Sequence, residues 1–196
     1  MSAIVSELIL GGQKSGKSRR AELIARDWLA QSPDHGAVLI ATGQACDDEM
    51  RGRIARHQRE RAERVPGLAT LEEPRDLAAA LRERSREQTL IVVDCLTLWL
   101  TNWTMPAGAQ DMDAPQREAL AQAWAAQCQD AIAALQDAPG PVVLVGNEIG
   151  LGVIPLGREV RAFVDALGVL NQCVAAACPR VTLMAAGLPL TLKEPR

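Results

Sequence analysis

Leu8-Ile9-Leu10-Gly11-Gly12-Gln13-Lys14-Ser15-Gly16-Lys17-Ser18 joins an apolar run to a glycine-rich turn close to the N-terminus. It fits G-x-x-x-x-G-K-[ST], the phosphate-binding loop, opening at Gly11 and closing at Ser18. The glycines let the backbone curl around a phosphate and aim several N–H groups inward. Lys17 brings a compact positive charge to the β- and γ-phosphates, and the Ser18 hydroxyl is a Mg²⁺ ligand type. An apolar run from Val5 to Leu10, broken by Ser6 and Glu7, reads as a strand before the loop. Ser18 to about Ala30 reads as an amphipathic helix behind it, with Ala21, Leu23, Ile24, Trp28 and Leu29 as its apolar set. A mere glycine turn would leave Lys17 at a helix start unexplained, because a cation opposes the helix dipole there unless an anion is bound.

Outside this loop, short apolar runs alternate with helical patterns. Strands are expected at Ala37–Ala41, Leu68–Leu71, Thr89–Asp94, Val142–Val145 and Val181–Met184. Helices are expected over Asp47 to about Arg64, Pro74–Arg86, Leu96–Trp103, Pro115–Gln136 and Arg158–Ala177. The continuous β-branched runs suit strands buried on both faces, and the alternation implies crossover connections. The expected architecture is α/β: a P-loop NTPase of RecA-like type, with a doubly wound, mostly parallel sheet flanked by helices. Residues 1–196 form a single nucleotide-binding domain, a length that buries a sizeable core. Met105–Pro115, with its Pro, Gly and Asp residues, is the expected mobile loop.

Composition narrows the function. A net charge of −3 argues against nucleic-acid binding by bulk electrostatics, and one Phe and no Tyr beside four Trp argue against a base-stacking platform. The five cysteines, Cys46, Cys95, Cys128, Cys173 and Cys178, form no C-x-x-C pair and suit reduced thiols. With only two histidines, zinc ligation is not expected. No secretory signal and no run of about 18 apolar residues stands out, so a soluble cytoplasmic protein is expected.

Several residues have side chains suited to chemistry. Asp94 closes the Ile91-Val92-Val93 run, where phosphate-loop enzymes place an acidic Mg²⁺ holder; the other reading is a helix N-cap before Leu96. In the charged helix, Met50, Ile54 and His57 fall at i, i+4, i+7, with arginines around them that suit a polyphosphate. Glu49–Arg53 and Glu60–Arg64 pairs on a solvated surface helix are the competing reading. Asn147-Glu148-Ile149-Gly150-Leu151-Gly152-Val153-Ile154-Pro155 follows a strand end, where open α/β sheets put substrate sites. Glu148 suits a general base, a ligand to a metal-bound water or a strand cap. Arg158 and Arg161 suit phosphates or an exposed helix face. His35 is expected to be exposed in a turn, and the Leu120–Leu135 apolar stripe to be core.

Taken together, these stretches resemble a known family. The phosphate loop is followed in order by Ala41-Thr42-Gly43-Gln44, Asp47-Asp48-Glu49-Met50, Arg53-Ile54-Ala55-Arg56-His57, Asp94-Cys95-Leu96-Thr97-Leu98-Trp99-Leu100-Thr101-Asn102 and Asn147-Glu148-Ile149-Gly150. Val153-Ile154-Pro155 and Asn171-Gln172 complete the pattern. The chain resembles the bifunctional adenosylcobinamide kinase/adenosylcobinamide-phosphate guanylyltransferases of cobalamin biosynthesis over nearly its whole length. The resemblance implies ATP or GTP phosphorylating the corrinoid's aminopropanol hydroxyl. It further implies GMP transfer from GTP through a guanylyl-histidine, which falls on His57, with Lys17 as the second catalytic residue. GTP contacts fall on Gly11, Gly12, Gln13, Lys14, Ser15, Gly16, Lys17 and Ser18, on Thr42, Gly43 and Gln44, and on Gln58, Arg59, Glu60, Arg61, Glu72 and Asp94. Ser18 and Asp94 are the implied Mg²⁺ ligands, a corrinoid the implied substrate partner and a homotrimer the implied assembly. The sequence departs from the family pattern in Lys14, which stands where Arg is usual, and around Ala62 and Leu68, where Pro and Trp are often found. A phosphate-loop kinase for another small molecule stays open as an alternative. So does a GTP-binding regulatory module, although Asn147-Glu148 lacks the Lys and Asp of an N-K-x-D element.

Overall fold

The computed structural model describes residues 5–44, 48–106, 108 and 111–195, without the side chains of Glu49, Met50, Arg53 and Ile54. Its strands are β1 (Glu7–Gly11), β2 (Gly36–Ala41), β3 (Leu68–Glu72), β4 (Thr89–Asp94), β5 (Val142–Val145), β6 (Arg180–Ala185) and β7 (Leu188–Lys193). The helices are α1 (Lys17–Leu29), α2 (Asp48–Arg64), α3 (Leu77–Arg84), α4 (Leu96–Thr104), α5 (Ala114–Gln136) and α6 (Arg158–Ala177). One sheet runs β3-β2-β4-β5-β1-β6-β7, parallel except for the β6–β7 pair. This is the expected mostly parallel α/β sheet with helices on both faces.

Alternation along each central strand divides the core in two. Leu8, Leu10, Ile91, Val93, Val142 and Leu144 face α3, α4, α5 and α6. Ile9, Leu39, Val92, Val143 and Val145 face α1, which contributes Ala21, Ala25 and Trp28. All four residues of β5 and all five of β1 are buried, which explains their apolar character, Glu7 excepted. Because the parallel strands share one direction, the ends of β1 through β5 open on a common carboxyl edge.

Some expectations needed correction. β7 was not foreseen: it pairs antiparallel with β6 through Ala186-Gly187, both at positive φ (51° and 79°), and all six of its residues are exposed. Two positive-φ residues are the geometry of a tight hairpin turn, which Asn-Gly would have announced more clearly than Ala-Gly does. α3 starts only at Leu77, because Asp76 caps it by accepting from the Ala79 amide at 3.1 Å, and it ends at Arg84. His35 is not simply exposed. Its ring stacks on Trp28 at 3.8 Å, and Nδ1 donates to the Trp28 carbonyl at 2.9 Å. In α5 only Ala131, Ala134 and Leu135 are buried; Leu120 is partly covered, and Trp124 packs edge-on against Trp99 at 4.8 Å. α6 is long and apolar enough to cross a membrane by composition, yet it docks Leu167, Leu170 and Val174 into the core. Residues 107, 109 and 110 of the expected Met105–Pro115 loop, and the Asp47 position of the motif, lie outside the described residues.

Candidate active site at the carboxyl edge of the sheet

The phosphate loop is shaped by backbone that only glycine tolerates well. Gly11 has φ of 152°, and a Cβ there would lie 2.5 Å from the Met184 carbonyl and 2.6 Å from Ser15 Oγ. Gly16 sits at φ 99° as the N-cap of α1, with no side chain covering the first helical amides. The Ser15 amide donates to Gly12 O at 3.3 Å, and the Gly187 amide donates to Ser15 O at 3.1 Å, so the β6–β7 turn braces the loop. Ser15 Oγ is buried without a hydrogen-bond partner. Gly12, Gln13 and Lys14 are exposed, Lys14 at a positive φ of 54°.

Lys17 is buried, and its Nζ donates to Gly12 O at 2.7 Å. Burial holds its pKa below the ordinary lysine value, opposed by the charges of Cys95 and Asp94. Asp94 is half-buried at the tip of β4; the residue that caps α4 is Cys95, without a side-chain cap bond. The peptide joining Asp94 to Cys95 is cis. Burial pushes the Cys95 thiol up to about 11.

Thr42, at the end of β2, is fully buried and every polar atom is engaged. Its hydroxyl donates to Cys95 O at 2.7 Å and accepts from the Cys95 amide at 2.9 Å. Its amide donates to Asp94 O at 3.2 Å, and its carbonyl accepts from Asn102 Nδ2 at 2.7 Å. Gly43 and the exposed Gln44 follow from this anchored point. Asn102 Nδ2 also donates to Pro74 O at 2.9 Å, while Trp99 and Trp103 donate to Arg75 O at 2.8 and 3.1 Å. α4 therefore straps down the loops that follow both β2 and β3. Thr42, which the sequence suggests as a nucleotide contact, stands in the structure as a strut for that loop.

β3 ends at the exposed Glu72, which accepts from Gln58 Nε2 at 3.4 Å. This contact joins the His57 helix to the strand-end acid. His57, Gln58, Arg59 and Glu60 are exposed, with Glu60 4.0 Å from Arg56. Arg61 is buried: its Nη1 donates to Thr70 Oγ1 at 3.4 Å and its Nε lies 3.6 Å from Glu22 Oε1. Arg64 pairs with Glu22 rather than with Glu60, as the helical spacing suggests. The Glu49–Arg53 pair and the Met50–Ile54 face lie outside the described residues.

The β5 loop is sewn to the phosphate loop. The Gly146 amide donates to Ile9 O at 2.9 Å, and the Glu148 amide to Gly11 O at 3.0 Å. Asn147 is held by Thr97 Oγ1 and by Asn171 Nδ2, at 3.0 and 3.1 Å. Glu148 Oε1 accepts from the Gly150 amide at 2.7 Å, the capping role among its three readings. Beyond it, Leu151, Val153, Ile154 and Leu156 are exposed, and Arg161 donates to the Pro155 and Leu156 carbonyls at 2.9 and 2.6 Å. Arg158 is exposed. Asn102, Thr97 and Asn171 are the positioning residues that side-chain chemistry alone did not single out. Their only sequence signal is membership of the Asp94–Asn102 and Asn171-Gln172 stretches.

Ser18 in the first turn of α1 and Asp94 at the tip of β4 offer a hydroxyl and a carboxylate, both hard oxygen donors. No group of three or more His, Cys, Asp or Glu occurs among the described residues to form an all-protein metal cage. Few protein ligands, completed by nucleotide phosphates and water, is the donor set that Mg²⁺ favours, so the residues present fit that ion.

Comparison with known proteins extends this geometry. The family model described as cobinamide kinase / cobinamide phosphate guanyltransferase matches residues 7–192. The bifunctional adenosylcobalamin biosynthesis protein CobP of Pseudomonas aeruginosa is 47% identical over 188 residues, covering 95% of this chain and 96% of that one. The proteins named bifunctional adenosylcobalamin biosynthesis protein CobU of Escherichia coli and Salmonella typhimurium are 36% and 35% identical over 187 residues, covering 95% of this chain and 98% of each. With the phosphate loop, the Asp94 strand tip and the Asn147 loop gathered on one edge, the match runs through every element of the site: the chain belongs to the cobinamide kinase / cobinamide phosphate guanyltransferase family.

Proposed function

We propose that this enzyme phosphorylates adenosylcobinamide and then converts the phosphate to adenosylcobinamide-GDP. The observation that carries the reading is the shared edge. One phosphate loop, with buried Lys17, opens on the same carboxyl edge from which α2 departs and at which Glu72 meets Gln58.

In the kinase step, the aminopropanol hydroxyl attacks the γ-phosphorus of ATP or GTP and the nucleoside diphosphate leaves. The open amides of α1 and the Lys17 ammonium bind the β- and γ-phosphates, exchanging the Gly12 carbonyl for phosphate oxygens. In the transfer step, the His57 imidazole attacks the α-phosphorus of GTP and pyrophosphate leaves. An oxygen of the cobinamide phosphate then attacks the guanylyl phosphorus, freeing the imidazole. Splitting the displacement in two keeps each step short-range, and the cationic loop stabilises the departing pyrophosphate. Mg²⁺ held by Ser18 and Asp94 neutralises phosphate charge when bound. Gly11 to Ser18, Gly43, Gln44, Gln58, Arg59, Glu60 and Glu72 hold GTP; Thr42 sets the path of its loop. Arg61 contributes by positioning.

The corrinoid is a large, partly apolar substrate. Leu151 (81% exposed), Val153 (95%), Ile154 (77%) and Leu156 (96%) stand on the segment that follows β5 and suit either its ring or a neighbouring subunit of a homotrimer. A direct test is product analysis by mass spectrometry after incubation with adenosylcobinamide, Mg²⁺ and GTP. Adenosylcobinamide phosphate followed by adenosylcobinamide-GDP supports the reading. Phosphate ester alone, with GTP in excess, contradicts the transfer half.

A further inference from the structure

Glu22 is a buried carboxylate that belongs to neither reacting group, yet it joins the two helices that carry them. It lies on α1, five residues after Lys17, with 4% of its surface exposed. Arg61 Nε stands 3.6 Å from Glu22 Oε1, and Arg64 Nη1 pairs with Oε2. Both arginines come from α2, the helix of His57. We infer that Glu22 is a positioning residue for guanylyl transfer, clasping α2 so that His57 stands level with the phosphate loop; this rests on the proposed role of His57.

Three features carry the inference. First, among the described side chains of α2 few are packed, and the contacts to β3 are the long Gln58–Glu72 and Arg61–Thr70 bonds at 3.4 Å. Arg51, Gly52, Arg56, His57, Gln58, Arg59 and Glu60 are exposed, and among the described side chains the buried ones at its end are Arg61 and the following Val65. Where the described side chains of a helix are mostly exposed, its polar contacts carry more of the docking. Here the contact is costly to break, because parting the helices would strand a buried carboxylate and a buried guanidinium.

Second, His57, Arg61 and Arg64 are spaced i, i+4, i+7 and so share one face of α2. The face that Glu22 grips is the face that presents the histidine. Third, the levels agree. α1 and α2 both start at the carboxyl edge and run away from it. Lys17 lies five residues, about 7.5 Å, above Glu22 along α1, and His57 lies four residues, about 6 Å, above Arg61 along α2. Matching Glu22 to Arg61 therefore brings His57 to the height of the first turn of α1, where a bound polyphosphate sits.

The test is Glu22→Gln in the full-length protein, read in three ways. Single-turnover formation of guanylyl-enzyme from α-labelled GTP should slow tenfold or more. The kinase kcat should stay within about twofold, with the KM for nucleotide within about threefold. Amide hydrogen exchange over residues 57–64 should quicken while α1 is unchanged. Glu22→Asp, which keeps the charge on a shorter arm, should recover part of the transfer rate. Arg64→Ala, at the more exposed end of the clasp, should show the same split more weakly, and it stands in if Glu22→Gln does not fold. Equal loss of both reactions, or unchanged transfer in Glu22→Gln, overturns the inference. If the wild-type protein takes no label, the role of His57 fails by itself. The clasp is then judged by exchange alone, and unaltered exchange over 57–64 overturns it.

Discussion

Lys17 hydrogen-bonds the carbonyl of Gly12, so the cation of the G-x-x-x-x-G-K-[ST] motif closes its own loop across five residues. The loop is thus preorganised around a charge that burial makes uncomfortable. Replacing Lys17 with Ala removes both the loop's internal tie and the phosphate-facing charge. Both reactions should fall by about a hundredfold or more, the scale seen when one preorganised charge-stabilising group is lost. Retention of full kinase activity by Lys17→Ala would refute the assignment.

The same lysine makes nucleotide affinity depend on pH in a defined direction. Its pKa is depressed in the free protein, and a polyphosphate beside it raises that pKa again. Between the depressed value and the bound value, binding takes up a proton, so affinity falls as pH rises through that alkaline window. Calorimetry in two buffers of different ionisation enthalpy reads the uptake. Proton release on binding there would contradict the account.

Gly11→Ala tests the geometry of the loop without touching a charge. A methyl group 2.5 Å from the Met184 carbonyl must push either β6 or the loop aside. Nucleotide affinity should drop at least tenfold with a modest loss of thermal stability. Wild-type affinity in this variant would show that the tight approach of β6 is not required.

Thr42→Val leaves the Cys95 amide without the hydroxyl it donates to, and the Cys95 carbonyl without its donor. The expected loss is about 1–3 kcal/mol in urea unfolding, with Thr42→Ser recovering most of it. If instead Thr42→Val keeps its stability and loses only GTP affinity, the residue is a ligand contact rather than a strut.

How much of this was legible beforehand varies by element. The phosphate loop and the buried strands around Leu8, Ile91 and Val143 could be read because glycine spacing and unbroken apolar runs are local signals. β7 could not, since its Leu, Thr and Pro residues are all exposed and its existence depends on pairing with β6. Asp94 and Glu148 stand out by residue type at strand ends, and His57 by its place in the charged helix and by the family resemblance. Their supports do not: Asn102 holds a loop 60 residues away, and Arg64 chooses Glu22, 42 residues away, over Glu60 on its own helix. Spacing along one chain carries no information about such partners until the sheet order is known. Arg61 illustrates the cost: the family resemblance puts it among the GTP contacts, and nothing along the chain reveals the carboxylate on α1 that it meets.

Whether His57 carries the guanylyl group is decided by a labelling experiment. The protein is incubated with Mg²⁺ and GTP labelled at the α-phosphorus, denatured, and the bound label tested for stability, beside His57→Ala. The account predicts acid-labile, alkali-stable label on the wild-type chain, none on His57→Ala, and kinase activity surviving in that variant. Label that persists in His57→Ala, or a wild-type chain that takes none, would contradict it.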